Sequence, residues 1–162
     1  MNIRIAVEAD LQAIFDIYNQ AIAEGGRTGD TTPVTLADRT AWFREHNTKH
    51  PIYVAEIENT VVGYLSLSPY RPGRMALRFT AEVSYYIHYA HHRQGIASKL
   101  LTYALKQSSS LQFKSLLAII MESNAASIQL LGKHGFEKWG YLPRVADFAG
   151  VEVSQVIYGK RV

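Results

Sequence analysis

Apolar Ile3 and Ile5 alternate with polar neighbours over residues 2–6 and predict a short strand. The period then lengthens. Leu11, Ile14, Phe15, Tyr18 and Ile22 stand at helical spacing and draw one apolar stripe, so a helix follows. The run Glu24-Gly25-Gly26-Arg27-Thr28-Gly29-Asp30 ends that helix in a loop. Thr35-Leu36-Ala37-Asp38 has the form of a capping box and opens a second helix through about His46. Residues 51–58 and 61–68 are β-rich, and Asn59-Thr60 between them predicts a hairpin. Residues 69–75 are turn-rich, and residues 80–89 read as a long aromatic strand. Residues 95–108 read as a helix with Ile96, Leu100, Leu101 and Ala104 on one side. Residues 115–121 are almost continuously apolar, as in a strand covered on both faces. A short helix over 125–133 closes on Gly135 as a left-handed cap, and 136–148 with 151–160 form a final strand pair. No repeat, low-complexity tract or linker interrupts this order. The expectation is a single α/β domain over residues 1–162 with a mixed sheet.

Composition narrows the function. A chain of 162 residues, 48% hydrophobic and 19% charged, can form its own core. It has no cysteine, which removes disulfides, thiolate-bound zinc and a cysteine nucleophile. Seventeen basic and 14 acidic residues leave a net charge of +3, with the basic residues scattered. That balance does not argue for nucleic acid and leaves room for a small anionic ligand. No apolar run approaches the roughly 18 residues of a membrane span, and the N-terminal residues lack the apolar core of a signal peptide. A cytoplasmic location with no membrane or nucleic-acid partner is therefore expected.

Chemistry concentrates where Tyr85-Tyr86-Ile87 leads through His91-His92-Arg93-Gln94-Gly95 into a helix beginning Ile96-Ala97-Ser98. The first N–H groups of a helix lack partners, and the macrodipole places roughly half a positive charge there. A diphosphate suits that end. Gly95 lets backbone approach the ligand, Ala97 keeps the first turn uncluttered, and Arg93 can add a cation. A glycine at a strand–helix turn is more often structural, and neither a Walker P-loop nor a G-x-G-x-x-G run is present. The H-x-x-H spacing of His88 and His91 does not converge on a metal, so no metal is expected.

A second motif changes the balance. Asn124-Ala125-Ala126-Ser127 runs into Gly135-Phe136 after the buried strand. With the His92-to-Ala97 turn, it makes the chain resemble the GNAT superfamily of N-acetyltransferases, whose motifs are [Q/R]-x-x-G-x-[G/A] and N-x-x-[S/A] followed by G-[F/Y]. Thr80-Ala81-Glu82, Asp38-Arg39 with Trp42-Phe43, and the length are similar to the phosphinothricin N-acetyltransferase branch. The resemblance covers essentially the whole chain and is weakest after Lys138. It implies an α/β (α+β) fold: a GNAT-type mixed, mostly antiparallel twisted sheet flanked by helices and splayed at the central strands.

The resemblance also implies roles. Acetyl-CoA would be the cosubstrate, its pantetheine bonded by backbone of Tyr85, Tyr86 and Ile87. Amides of Arg93, Gln94, Gly95, Ile96, Ala97 and Ser98 would cradle the diphosphate, with His92 at the first motif position. Asn124 and Ser127 would contact the coenzyme, although Asn124 also reads as a plain helix cap. Glu82 would be the general base; its bland reading is a salt-bridged glutamate on an alternating strand. The amide near Ile87 would polarise the thioester carbonyl. The acceptor would be the primary amine of a small amino-acid-like molecule of the phosphinothricin or methionine sulfone type, acetylated directly in a ternary complex. Leu77 stands near its pocket, and Arg74 and Arg78 would grip its carboxylate; both arginines equally suit a solvated surface. A homodimer through the closing strands is the family's habit.

Three departures stand out. His92 replaces glutamine or arginine. Leu131 stands where relatives place the tyrosine or histidine that protonates the leaving thiolate, which leaves Tyr141, Tyr158 or water as substitutes. Gly29 and Leu77 stand near positions that are aromatic in the phosphinothricin branch. Two other functions stay open: acetylation of a protein N-terminus or lysine, and a non-catalytic coenzyme A-binding sensor module.

Overall fold

A computed structural model describes all of residues 1–162. Its elements are β1 (Asn2–Ile5), α1 (Leu11–Glu24), α2 (Leu36–Glu45), β2 (Ile52–Ile57), β3 (Thr60–Pro69), β4 (Thr80–Ile87), α3 (Ile96–Gln107), β5 (Ser115–Met121), α4 (Ala125–Lys133), β6 (Glu137–Phe148) and β7 (Val151–Arg161). One seven-stranded sheet has the order β1-β2-β3-β4-β5-β7-β6. Every neighbouring pair is antiparallel except β4 and β5.

The expected order of elements is the observed one, with local corrections. The two-residue hairpin turn is Glu58-Asn59 rather than Asn59-Thr60. Both residues take left-handed backbone, φ 49° and 62°, as the tight turn between twisted strands requires. β4 stops at Ile87, two residues early. There the His88 ring accepts the Ala90 N–H and bends the chain into a 3₁₀ turn over Tyr89–His91. The buried stripe of α1 is rotated from the expected one: Ile17 and Ala21 are buried with Ile14, Tyr18 and Ile22, while Leu11 and Phe15 are only half-buried. The capping box of α2 forms as read, Thr35 and Asp38 satisfying each other's backbone.

The strands alternate their side chains between two cores. On one face Leu65, Leu67, Ala81, Val83 and Leu116 pack against Leu100, Leu101 and Ala104 of α3 and Leu131 of α4. On the other Ile52, Val54 and Tyr64 meet Ile14 and Ile17 of α1, with Trp42, Phe43 and Tyr86 beside them. The only fully buried residue of α2 is Arg39. Its guanidinium lies 4.1 Å from the ring centre of Tyr18 and 3.5 Å from that of Trp42, and it donates to the Tyr64 hydroxyl. Aromatic faces thus replace the water that this cation has lost.

One feature positions the site. β4 and β5 are in register only at Thr80↔Ser115, Ala81↔Leu116 and Glu82↔Leu117. Beyond that, β4 stays with β3 to Ile87 and β5 stays with β7 to Met121. The sheet therefore opens in its centre between two strands that remain held on their outer sides. No helix is long and apolar enough to cross a membrane.

Candidate active site

The opening leads into a cleft of about 350 Å³. Tyr85, Tyr86 and Ile87 line it from β4; Gly95, Ile96, Ala97 and Ser98 line it from the start of α3; Asn124 and Ser127 line it from the start of α4. His92 and Arg93 complete the turn between β4 and α3. Of the expected coenzyme residues only Gln94 is missing from the wall. Its side-chain amide turns back and donates to the Ala90 carbonyl, 3.3 Å away.

The turn is built for backbone exposure. Gly95 caps α3 with φ 75° and ψ 10°, without a side-chain cap, and a Cβ on it would meet nothing within 4 Å. The space in front of that position is open. The first helical bond runs from the Lys99 N–H to the Gly95 carbonyl at 3.1 Å, so the N–H groups of Ile96, Ala97 and Ser98 have no intrahelical partner. Arg93 also sits at positive φ, 62°. The departure at His92 is accommodated: its Nε2 bonds the Ile87 carbonyl at 2.8 Å and ties the turn to the end of β4.

Asn124 has the plain role and leaves room for another. Its side-chain oxygen accepts from the Ser127 N–H at 3.2 Å, which caps α4, and from Arg27 at 3.1 Å. Its amide nitrogen makes no hydrogen bond within the chain. Arg27 also pairs with Glu24 at 2.7 Å, and that ion pair holds the Glu24 carboxyl below its usual range. Ala21, Glu24 and Arg27, at the end of α1 and just beyond it, form a wall that the sequence motifs did not indicate. They lie far from both motifs along the chain, so no local spacing could have announced them.

Glu82 lies on β4 where the pairing with β5 ends. Alternation turns it away from Ala81 and Val83, toward the face that carries Tyr64 and Tyr86. No ion pair involves it within 4 Å. Burial raises the pKa of its carboxyl, and the charge of Arg71 pulls weakly the other way. Glu82 does not line the cleft itself but stands at its inner end, at the root of the opening.

Arg74, Leu77 and Arg78 are brought together, but elsewhere. They line a second hollow of about 540 Å³ below the start of β4, with Lys49, His50 and Arg71. No aspartate or glutamate lines it, and it shares no lining residue with the cleft. Arg78 donates to the Met75 carbonyl at 2.8 Å and lies 4.2 Å from the Phe79 ring centre. Arg71, which the sequence reading passed over, is the guanidinium whose charge reaches Glu82.

Leu131 is fully buried in the core between α4 and the sheet. Tyr141 stands on the outer hairpin with its hydroxyl bonded to Ser154 at 3.0 Å, and Tyr158 packs against the core. Neither tyrosine lines the cleft. Tyr85 does, and its hydroxyl is buried without a hydrogen-bond partner.

Comparison with known proteins places this arrangement. The model of the Acetyltransferase (GNAT) family matches residues 11–136. YwnH of Bacillus subtilis (strain 168), a candidate phosphinothricin acetyltransferase, is 41% identical over 163 residues, covering 100% of this chain and 99% of its own. The L-methionine sulfoximine/L-methionine sulfone acetyltransferase of Salmonella typhimurium is 33% identical over 146 residues, 90% of this chain and 85% of that one. The phosphinothricin acetyltransferase of Sinorhizobium meliloti, solved with acetyl-CoA, superposes with a TM-score of 0.93 at 29% identity, over 99% of this chain and 88% of that one.

Proposed function

Since the chain belongs to the GNAT acetyltransferase family, we propose that its cleft holds acetyl-CoA and that its acceptor is the primary amine of a small amino-acid-like molecule. It is an N-acetyltransferase of the phosphinothricin N-acetyltransferase-like branch. The observation that carries the reading is the parting of β4 from β5 beyond Glu82. That parting leads to the unpartnered amides of α3 at one end and to a desolvated carboxylate at the other.

The diphosphate lies on the N–H groups of Ile96, Ala97 and Ser98, with Arg93 and Gly95 forming the turn. The pantetheine runs along the free edge of β4 as an extra strand, taking the backbone bonds that β5 no longer makes. The Asn124 amide is free to donate to it. This geometry sets the acetyl group near the middle of β4, close to Glu82. An amine attacks only when neutral, and α-amines hold their proton up to roughly pH 8. Glu82 accepts the proton, directly or through one water, and its raised pKa makes it a stronger base than an ordinary carboxylate. Nitrogen then bonds the acetyl carbon in a single ternary complex.

The acceptor's carboxylate belongs with the guanidinium groups of Arg71, Arg74 and Arg78. They border the start of β4, and the charge of one of them, Arg71, reaches Glu82. Exposed Trp139, Leu142, Val145 and Val151 on the outer β6–β7 hairpin support a homodimer, since β6 is an open sheet edge. We place the reaction in the cytoplasm, where acetyl-CoA is available.

The test is thiol release from acetyl-CoA with methionine sulfone, methionine sulfoximine, phosphinothricin, ordinary amino acids, polyamines and short peptides. Turnover confined to carboxylate-bearing amines is expected. Turnover on peptides alone would move the assignment to a protein N-terminus. Coenzyme binding with silence across the panel would leave a sensor module.

A further inference from the structure

We propose that Tyr85 is the catalytic residue that protonates the departing coenzyme A thiolate, in place of a residue at position 131. The inference rests on the acetyl-transfer reading above. Tyr85 lines the cleft from the part of β4 that β5 has left. Its side chain points to the face of α3 and α4, packing beside their core. The hydroxyl is buried with no hydrogen bond of good geometry, and Ser127 is the one polar side chain near it. Buried hydroxyls almost always have a partner, so one left without at a ligand cleft calls for a partner that arrives with the ligand. With the coenzyme lying along β4 as proposed, its sulfur is the polar atom that would arrive beside this hydroxyl. Ser127, the polar side chain beside the hydroxyl, favours its ionised form slightly and can steady a transient phenolate.

The other donors are committed or misplaced. Leu131 is apolar and fully enclosed. The Tyr89 hydroxyl donates to the Gln20 carbonyl, and His92 is bonded to the Ile87 carbonyl. Ser98 is bonded to His134 at 2.8 Å. Tyr86 lies against Tyr18 and Tyr64 on the opposite face of the sheet. Burial pushes the Tyr85 hydroxyl up to about 12. It therefore keeps its proton across the working pH range, so it meets the developing thiolate as a hydrogen-bond donor and cannot serve as a base.

The step balances within the known reaction. Collapse of the tetrahedral adduct breaks the carbon–sulfur bond and leaves its electron pair on sulfur. The Tyr85 proton moves to that sulfur and gives the free thiol. The proton taken from the amine by Glu82 leaves to solvent, and solvent restores the phenol.

Tyr85→Phe keeps the ring and removes only the hydroxyl. The variant is expected to melt with the wild type, because no hydrogen bond is lost. Its KM for acetyl-CoA stays within about twofold while kcat falls about 100-fold, the usual scale for a general acid. A reading without turnover accompanies it: calorimetric titration with coenzyme A and with desulfo-coenzyme A. The wild type binds the thiol more tightly, and Tyr85→Phe binds the two equally. A kcat within about twofold of wild type overturns the proposal. So does a wild type that binds both ligands equally, or a loss confined to the KM for acetyl-CoA. A wild type that binds neither ligand removes the acetyl-CoA reading itself, a result distinct from these.

Discussion

The cleft and the basic hollow lie at opposite ends of β4 and are built in opposite ways. The cleft is walled by backbone, small side chains and the free amides of α3, with Gly95 as its turning point. The hollow is walled by long cations on a loop, Arg71, Arg74 and Arg78, facing Lys49 and His50 with no acid among them. Backbone amides are fixed by the fold and cost little to align. Arginines on a loop must lose side-chain freedom when they grip a ligand, by up to about 2 kcal/mol each. The difference suits a shared donor held by invariant geometry and an acceptor chosen by adjustable side chains.

The largest effect should come from attacking the backbone device. Gly95→Glu forces a side chain into left-handed backbone and sets a negative charge where we propose the diphosphate binds. Strain alone costs about 1–2 kcal/mol of fold stability. With the charge, calorimetry should detect no binding of acetyl-CoA. Retained affinity would mean that the cleft does not work through its amides.

Glu82→Gln comes next. We expect kcat to fall about 100-fold with the Kd for acetyl-CoA within about twofold, separating chemistry from donor binding. In the wild type kcat/KM should climb as Glu82 loses its proton, along a limb displaced upward from the ordinary carboxylate range. That limb should vanish in the variant. Equal loss of rate and affinity would count against the base.

The hollow gives a smaller and more selective response. Arg74→Ala with Arg78→Ala should raise the acceptor KM about tenfold, the scale of a charge-assisted hydrogen bond, and leave acetyl-CoA untouched. A fall in donor affinity would erase the division between the two hollows. The smallest effect concerns stability. The folded pKa of Glu82 lies above its unfolded value. Its contribution to stability is therefore present at low pH and is lost as pH rises through the folded pKa. Glu82→Gln should raise Tm by about 2 °C at pH 8 and leave it unchanged at pH 4. A destabilised variant at pH 8 would make Glu82 a structural partner.

The same contrast explains what could be read in advance. The order of elements, the capping box at Thr35 and the turn around Gly95 were legible, because each follows from local periodicity or backbone geometry. Arg74, Leu77 and Arg78 were named as candidates for an acceptor pocket and do line one hollow, but their neighbour Arg71 was not named, since a loop cation carries no spacing rule. The buried face of α1 was read a fraction of a turn away, because Leu11 and Phe15 are apolar but only half-covered in the fold, while Ile17 and Ala21 are buried.

The amino-acid pattern thus determined the elements, their sequence and the glycine turn into α3, all of which arise from interactions between residues close along the chain. The tertiary structure decided the rest. It opened β4 from β5 beyond Glu82, carried Glu24 and Arg27 to the wall of the cleft, and enclosed Leu131 in the core. It also left the Tyr85 hydroxyl without a partner. Those outcomes depend on how distant segments fill space against one another, and hydrophobic periodicity records only which face of an element is buried, not what it is buried against.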